Sequence, residues 1–180
     1  AATTLVKEFF GASDRNQYLI YLDLPAVYRI TATDEVVQDL VAWLSDEEIN
    51  PEIESSIAYV GSGGPRFFLS LSPVDPDPHV SFLVVNTQTG DQVAELVLRT
   101  REYLDQNFAN VNHRVKQMWL GANEPGLVEF RLIGEDADHL FAKSKQLQSE
   151  LEQIPGIAYV HNDWGNKTLR VEVLVDQVRA

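Results

Sequence analysis

Residues Tyr18 to Leu24 (YLIYLDL) are apolar at nearly every consecutive position, so a strand there is hydrophobic on both faces; Pro25 stops it, which predicts an interior strand. The period then changes. From Asp34 to Glu47, Val37, Leu40, Val41 and Leu44 fall at i, i+3, i+4 and i+7, one stripe of a helix capped by Thr33 or Asp34. Ser55 to Val60 and Arg66 to Ser72 are rich in β-formers and are separated by Gly61-Ser62-Gly63-Gly64-Pro65, which predicts a hairpin with a wide loop. Pro73 to Pro78 (PVDPDP) interrupts regular structure, and His79 to Asn86 resumes as a strand. Asp91 to Phe108 sets Val93, Leu96, Val97, Thr100 and Leu104 on one side of a second helix. Val111 to Leu120 reads as extended, and Gly121-Ala122-Asn123-Glu124-Pro125-Gly126 as a linker.

After the linker the pattern begins again. Val128, Phe130 and Leu132 alternate with Glu129 and Arg131 as in a half-buried strand, and Leu140, Ser144, Leu147, Leu151 and Ile154 align on a helix from Asp136 to Gln153. Pro155-Gly156 ends that helix, and Leu169, Val171, Val173 and Val175 alternate in a last strand. The tetrapeptide Ile57-Ala58-Tyr59-Val60 recurs as Ile157-Ala158-Tyr159-Val160, each copy following an amphipathic segment closed by a proline. A duplicated βαβ unit explains both. The expected class is α+β: a ferredoxin-like βαββαβ subdomain over 1–122, an antiparallel sheet with helices on one face, with an additional strand around Pro73. The first half of a second such subdomain (β-α-β-β) then occupies 123–180.

Charge and composition exclude several classes of partner. A formal net charge of -13 with a sequence pI near 4.6 opposes binding to nucleic acid or anionic lipid, since either needs a basic stripe. With no cysteine there is no disulfide framework, thiol nucleophile or zinc finger. Apolar runs such as Val80 to Val85 fall far short of the roughly 20 residues that cross a bilayer, so no membrane contact is expected of these residues. The start, Ala1-Ala2-Thr3-Thr4, lacks an initiator Met and any signal-peptide pattern, and reads as an excised or processed piece.

Enzyme signatures were weighed and do not hold. Gly61 to Arg66 sits between predicted strands and lacks the Lys-Ser/Thr ending of a phosphate loop. Ser62 is not in a nucleophile elbow. Asp46-Glu47-Glu48 reads as a solvated helix end, and Asp75, Asp77 and His79, interleaved with Pro76 and Pro78, as a turn rather than a metal site. No i, i+4 histidine pair and a single methionine leave neither a zinc site nor a thioether cluster.

Phe9-Phe10-Gly11-Ala12-Ser13-Asp14-Arg15-Asn16-Gln17, running into a strand that ends Asp23-Leu24-Pro25, resembles the opening of the large C-terminal periplasmic loop of resistance-nodulation-division (RND) efflux transporters of the acriflavine-resistance type. In order along the chain, Val60-Gly61-Ser62-Gly63-Gly64-Pro65-Arg66-Phe67 resembles that family's glycine-rich hairpin loop. Phe130-Arg131-Leu132-Ile133-Gly134 resembles the strand that opens its next subdomain, and Val173-Leu174-Val175-Asp176-Gln177-Val178-Arg179-Ala180 the strand end before its docking insertion. The resemblance implies a periplasmic portion of a bacterial inner-membrane protein, a homotrimeric, proton-driven antiporter working with a periplasmic adaptor and an outer-membrane channel. Its cargo would be small organic or amphiphilic compounds, as in multidrug efflux and antibiotic resistance. It implies no cofactor and no catalysis within this segment.

On the same resemblance, Gly61, Ser62, Gly63, Gly64, Pro65 and Arg66 form a substrate-path loop, although a turn that merely needs positive φ explains its glycines too. Multidrug sites rely on aromatic and apolar surface, which makes Phe67, Phe68, Met118 and Trp119 candidate substrate contacts. Strand aromatics more often bury against a helix. His161 falls near where the family places a basic cleft residue. The competing class is a ferredoxin-like small-metabolite-binding regulatory module; an acylphosphatase-like enzyme would need an arginine in a phosphate-cradling loop, which is absent.

Overall fold

Strand β1 (Gln17–Asp23) forms where the doubly apolar run is found, and it lies inside a four-stranded sheet of order β2-β3-β1-β4. The other strands are β2 (Ile53–Val60), β3 (Val80–Thr87) and β4 (Asn112–Gln117). Every neighbouring pair is antiparallel, with Tyr21 opposite both Phe82 on β3 and Arg114 on β4. Helices α1 (Ile30–Leu44), α2 (Val93–Asn107) and α3 (Ala137–Glu152) complete the elements, which makes the fold α+β. The structure, a computed structural model, describes residues 14–68, 71, 73–119, 128–157, 160, 162 and 164. The chain divides into two compact units, Ala1–Arg131 and Leu132–Ala180.

In the first unit, both helices cover one sheet face. Tyr18, Ile20 and Leu22 of β1, Leu83 and Val85 of β3 and Val115 of β4 point into a core closed by Val37, Leu40 and Leu44 of α1 and Leu96, Val97 and Leu104 of α2. The expected apolar stripes are the ones that bury. The opposite face carries Leu19, Phe82, Val84 and Met118, and among the described residues neither α1 nor α2 covers it; Phe68 and Leu71 from the connection 61–79 do.

That connection corrects the expected hairpin. The partner of β2 is β3, with Val60 opposite Ser81, and the described residues of 61–79 contain no strand. Both Arg66–Ser72 and Val80–Thr87 are apolar enough to pair with β2. Pairing with β3 places the strand that is buried along nearly its whole length in the sheet interior, and Phe68 and Leu71 cover the second face. The additional strand around Pro73 does not form either, because residues 73–79 are non-regular.

Helix α1 begins a turn before the expected cap. Arg29 is its N-cap, and Thr33 lies fully buried inside it, where its Oγ1 donates to the Pro78 carbonyl at 2.7 Å. The hydroxyl that looked like a cap instead ties α1 to the end of the 61–79 connection. One turn of 3-10 helix (Gly90–Gln92) leads into α2, where the Thr89 N–H donates to Gln92 Oε1 at 3.2 Å. Arg101 of α2 donates through Nε (2.9 Å) and Nη2 to the Val115 carbonyl on β4, using an acceptor left over at the sheet edge.

In the second unit, Asp136 caps α3, its carboxylate accepting from the His139 N–H at 3.0 Å. Leu140, Ser144, Leu147 and Leu151 form a half-buried stripe, and Ile154 is exposed. Asn162 Nδ2 donates to Ser144 Oγ at 2.8 Å, and Trp164 stacks on Phe141 at 6.3 Å. The strand expected at Val128–Leu132 is not present; these residues are non-regular and exposed. Alternation alone does not make a strand, since the ladder needs a partner, and no described residue pairs with this stretch. The linker 121–126, the copy Ala158-Tyr159 and the last strand lie outside the described residues.

A buried polar pair marks the centre of the first core. Tyr18, with its ring fully buried, shares a 3.0 Å hydrogen bond with Thr100 of α2, and burial raises its pKa from 10.0 to about 12. Below pH 10 both folded and unfolded chains keep this proton. Between about 10 and about 12 the unfolded chain ionises while the native one does not, so stability falls across that window. Tyr18→Phe is expected to cost about 1 kcal/mol at pH 8 and to flatten the alkaline fall. Urea midpoints at pH 8 and 11 for the two proteins check it; equal alkaline slopes would contradict it.

Candidate functional site

The helix-free sheet face collects most of the residues singled out from sequence. Tyr59 of β2, Phe82 of β3 and Tyr21 of β1 are direct cross-strand partners, so their rings form a row across the sheet. The Tyr59 and Phe82 rings lie 6.2 Å apart and the Phe82 and Tyr21 rings 5.0 Å apart. The row continues onto β4, where Arg114 and Lys116 approach the Tyr21 ring at 6.0 and 5.5 Å. In a chain this acidic, the β4 end of the row is locally basic.

The 61–79 connection lies over this row. Phe67 meets Phe68 edge-on at 5.2 Å and reaches Phe82 at 6.4 Å, and it keeps 40% of its surface exposed. Phe68 packs into the cluster, partly buried. Both stand on the connection rather than on a strand. Met118 is fully buried beneath the same face, so it supports the surface and does not present itself to a ligand. Trp119 follows β4, half-buried. Thus Phe67, Phe68 and Met118 come together on one face, and His161 lies outside the described residues.

The glycines of Gly61 to Arg66 have definite structural tasks. Gly61 and Gly64 take φ of 70° and 69°, the left-handed region that side chains disfavour. A Cβ on Gly63 would sit 2.3 Å from the Val74 nitrogen and 2.4 Å from its carbonyl oxygen. A Cβ on Gly64 would meet the Phe82 ring at 2.7 Å and the Tyr59 ring at 3.0 Å. Gly63 lets the two limbs of the connection touch backbone to backbone, and Gly64 lets the chain lie flat on the aromatic row. Ser62 Oγ accepts from the Gly64 N–H at 3.2 Å, which fixes the turn. Pro65 and Arg66 are exposed.

The far limb is fastened by polar contacts. His79 Nδ1 contacts Asp77 Oδ1, and its Nε2 lies 3.4 Å from Asp23 Oδ1 at the end of β1. The Leu24 N–H donates to the His79 carbonyl at 2.9 Å beside it. Asp77 and His79 thus meet Asp23, which sequence spacing did not link to them. Among the described residues no group of three His, Cys, Asp or Glu side chains is arranged to hold a metal ion.

Sequence reasoning missed Tyr21, Tyr59, Phe82 and Leu71 as parts of this surface. The signal was present in β1, where Leu19 and Tyr21 occupy the positions between Tyr18, Ile20 and Leu22 and must face away from the helices. No protein-family model matches the chain, and no curated protein is significantly similar to it. Among the described residues no helix is long and apolar enough to cross a membrane.

Gly63→Ala is expected to destabilise the first unit by about 2 kcal/mol, because backbone on both sides must part. Ser62→Ala, which removes one turn hydrogen bond, should cost about 1 kcal/mol or less. Chemical denaturation of the two variants separates the readings: a connection that is only a loose separator would tolerate both equally.

Proposed function

We propose that the chain is a periplasmic porter fragment of a proton-driven RND efflux transporter, its first unit a ferredoxin-like subdomain walling a path for small organic or amphiphilic compounds. The observation that carries this reading is the aromatic row on the helix-free face, overlaid by the glycine-rich connection and ending at the surface in Phe67. Surfaces of this composition suit cargo recognised by shape and apolar contact more than by fixed hydrogen bonds.

Connectivity supports the ferredoxin-like part. β1-α1-β2 brackets β3, and β3-α2-β4 brackets β1, so two βαβ units interlock with both helices on one face. The motif order described from sequence supplies the transporter part: the segment leading into β1, the glycine-rich connection after β2, and the stretch from Phe130 to Gly134 follow one another as in that family. In this reading Phe67 and Phe68 contact cargo, Met118 backs them from the core, and Gly61 to Arg66 hold the connection against the sheet. Energy coupling, trimer formation and docking to an adaptor and outer-membrane channel belong to the whole transporter, and no cofactor or catalytic step enters.

The reading frame that encodes these residues tests the proposal. Apolar spans of roughly 20 residues on both sides are expected; a short frame without them would overturn it. In the full-length protein, Phe67→Ala is expected to raise dye accumulation in cells several-fold at unchanged expression, and undiminished efflux would remove Phe67 from the path.

A further inference from the structure

On the other side of the first unit, away from the aromatic row, α1 and α2 border a shallow, open depression of about 480 Å³. It is lined by Asp39, Trp43 and Asp46 from α1 and the turn after it, and by Tyr103, Asn107 and Phe108 at the end of α2. The sequence explains the grouping: Asp39 and Trp43 stand at i and i+4 on α1, Asp46 follows in the turn after it, and Tyr103 and Asn107 repeat the i, i+4 spacing on α2.

The aromatic rings are fixed against one another before any ligand arrives. Trp43 and Tyr103 stack at 4.1 Å with 7° between their planes, and Phe108 meets Tyr103 edge-on at 6.0 Å. Asn50, itself buried, donates from Nδ2 to the Trp43 carbonyl at 2.7 Å and holds the backbone beneath the indole. The field here is negative. α1 contains no basic residue, its C-terminal end adds the negative pole of the helix, and the chain carries a net charge of -13. Asp39 is exposed and has no ion-pair partner among the described residues; Asp46 uses only Oδ1, which accepts from the Glu48 and Ile49 N–H groups at 2.9 and 3.3 Å. The Tyr103 hydroxyl is held above its ordinary pKa by burial and then by the nearby Asp39 charge, so it stays a neutral donor or acceptor. The nearby cation on α2, Arg99, is already engaged by Glu52 and Glu95 at 3.1 and 2.9 Å.

We infer that this depression binds a small organic cation with an alkyl- or quaternary-ammonium head, held by the Trp43, Tyr103 and Phe108 rings and the carboxylates of Asp39 and Asp46. Aromatic rings flanked by carboxylates favour a weakly hydrated cation, which gains ring and charge contact together, over a strongly hydrated metal ion. The Asp39 carboxylate and the Oδ2 of Asp46 disfavour an anionic occupant. This site is separate from the aromatic row, so it stands or falls independently of the efflux reading.

Choline and its neutral isostere 3,3-dimethylbutan-1-ol, titrated into the 180-residue chain at constant ionic strength, test the inference through the indole N–H resonance of Trp43. Choline is expected to shift that resonance saturably in the millimolar range, with the isostere at least about tenfold weaker. Asp39→Asn combined with Asp46→Asn is expected to weaken choline by a similar factor; if Asp46→Asn disturbs the turn, Asp39→Asn alone should weaken it several-fold. Equal binding of choline and isostere, no saturable shift with choline, or unchanged affinity in a folded Asp39→Asn variant would each overturn it.

Discussion

The first unit is organised by one constraint: its two inner strands are apolar on both faces, and water must be kept from each. β3 is buried at every position but Asn86, and β1 buries Tyr18, Leu19, Ile20 and Leu22 in succession. A sheet with such a centre requires two covers. α1 and α2 supply one, with stripes that match the helical period. The described residues between β2 and β3 contain no helix, and Phe68 and Leu71 of the connection 61–79 lie on the second face instead. Its peculiar composition follows from that duty. Glycines permit close approach, Phe68 and Leu71 pack into the cluster with Phe82, and the prolines keep the segment from competing for a place in the ladder.

Fastening at both ends makes this cover part of the fold. Near β2, Gly64 rests on the Tyr59 and Phe82 rings; near β3, His79 reaches Asp23, and the Pro78 carbonyl takes the Thr33 hydroxyl from α1. The same arrangement gives the surface its recognition potential, since a cover made of irregular chain leaves aromatic edges such as Phe67 at the surface where a helix would have presented a polar face. Stability and the exposed aromatic surface are therefore coupled through the same few residues. Substitution at Gly64 acts directly on the Tyr59 and Phe82 rings beneath it, and substitution at Gly63 acts on the Val74 backbone of the opposite limb.

The elements that depend on local periodicity were legible in the sequence. β1 and the stripes of α1 and α2 follow from spacing alone, because the 3.6 and 2.0 periods are imposed by backbone geometry. What depends on competition between distant segments was not. Arg66–Ser72 and Val80–Thr87 both read as β-formers, and only the need to bury β3 on two faces decides which of them pairs with β2. Thr33 carries the chemistry of a cap and is used for a tertiary hydrogen bond, and Val128–Leu132 alternates without a described partner. At the candidate site, Phe67, Phe68 and Met118 were legible as a group, while the row of Tyr59, Phe82 and Tyr21 became visible only with the strand register.

Because the chain contains no cysteine, single thiols report directly on whether the connection lies down on the sheet. Leu71→Cys and Phe67→Cys, reacted with a thiol reagent under native and unfolding conditions, make the most direct test. Leu71 is 2% exposed and Phe67 40%. The account predicts that the thiol at position 71 reacts far more slowly in the native chain than in the unfolded one, while that at 67 reacts nearly as fast in both. Equal, unprotected reaction at 71 in a chain with native circular dichroism would show that the second face is not covered by this segment.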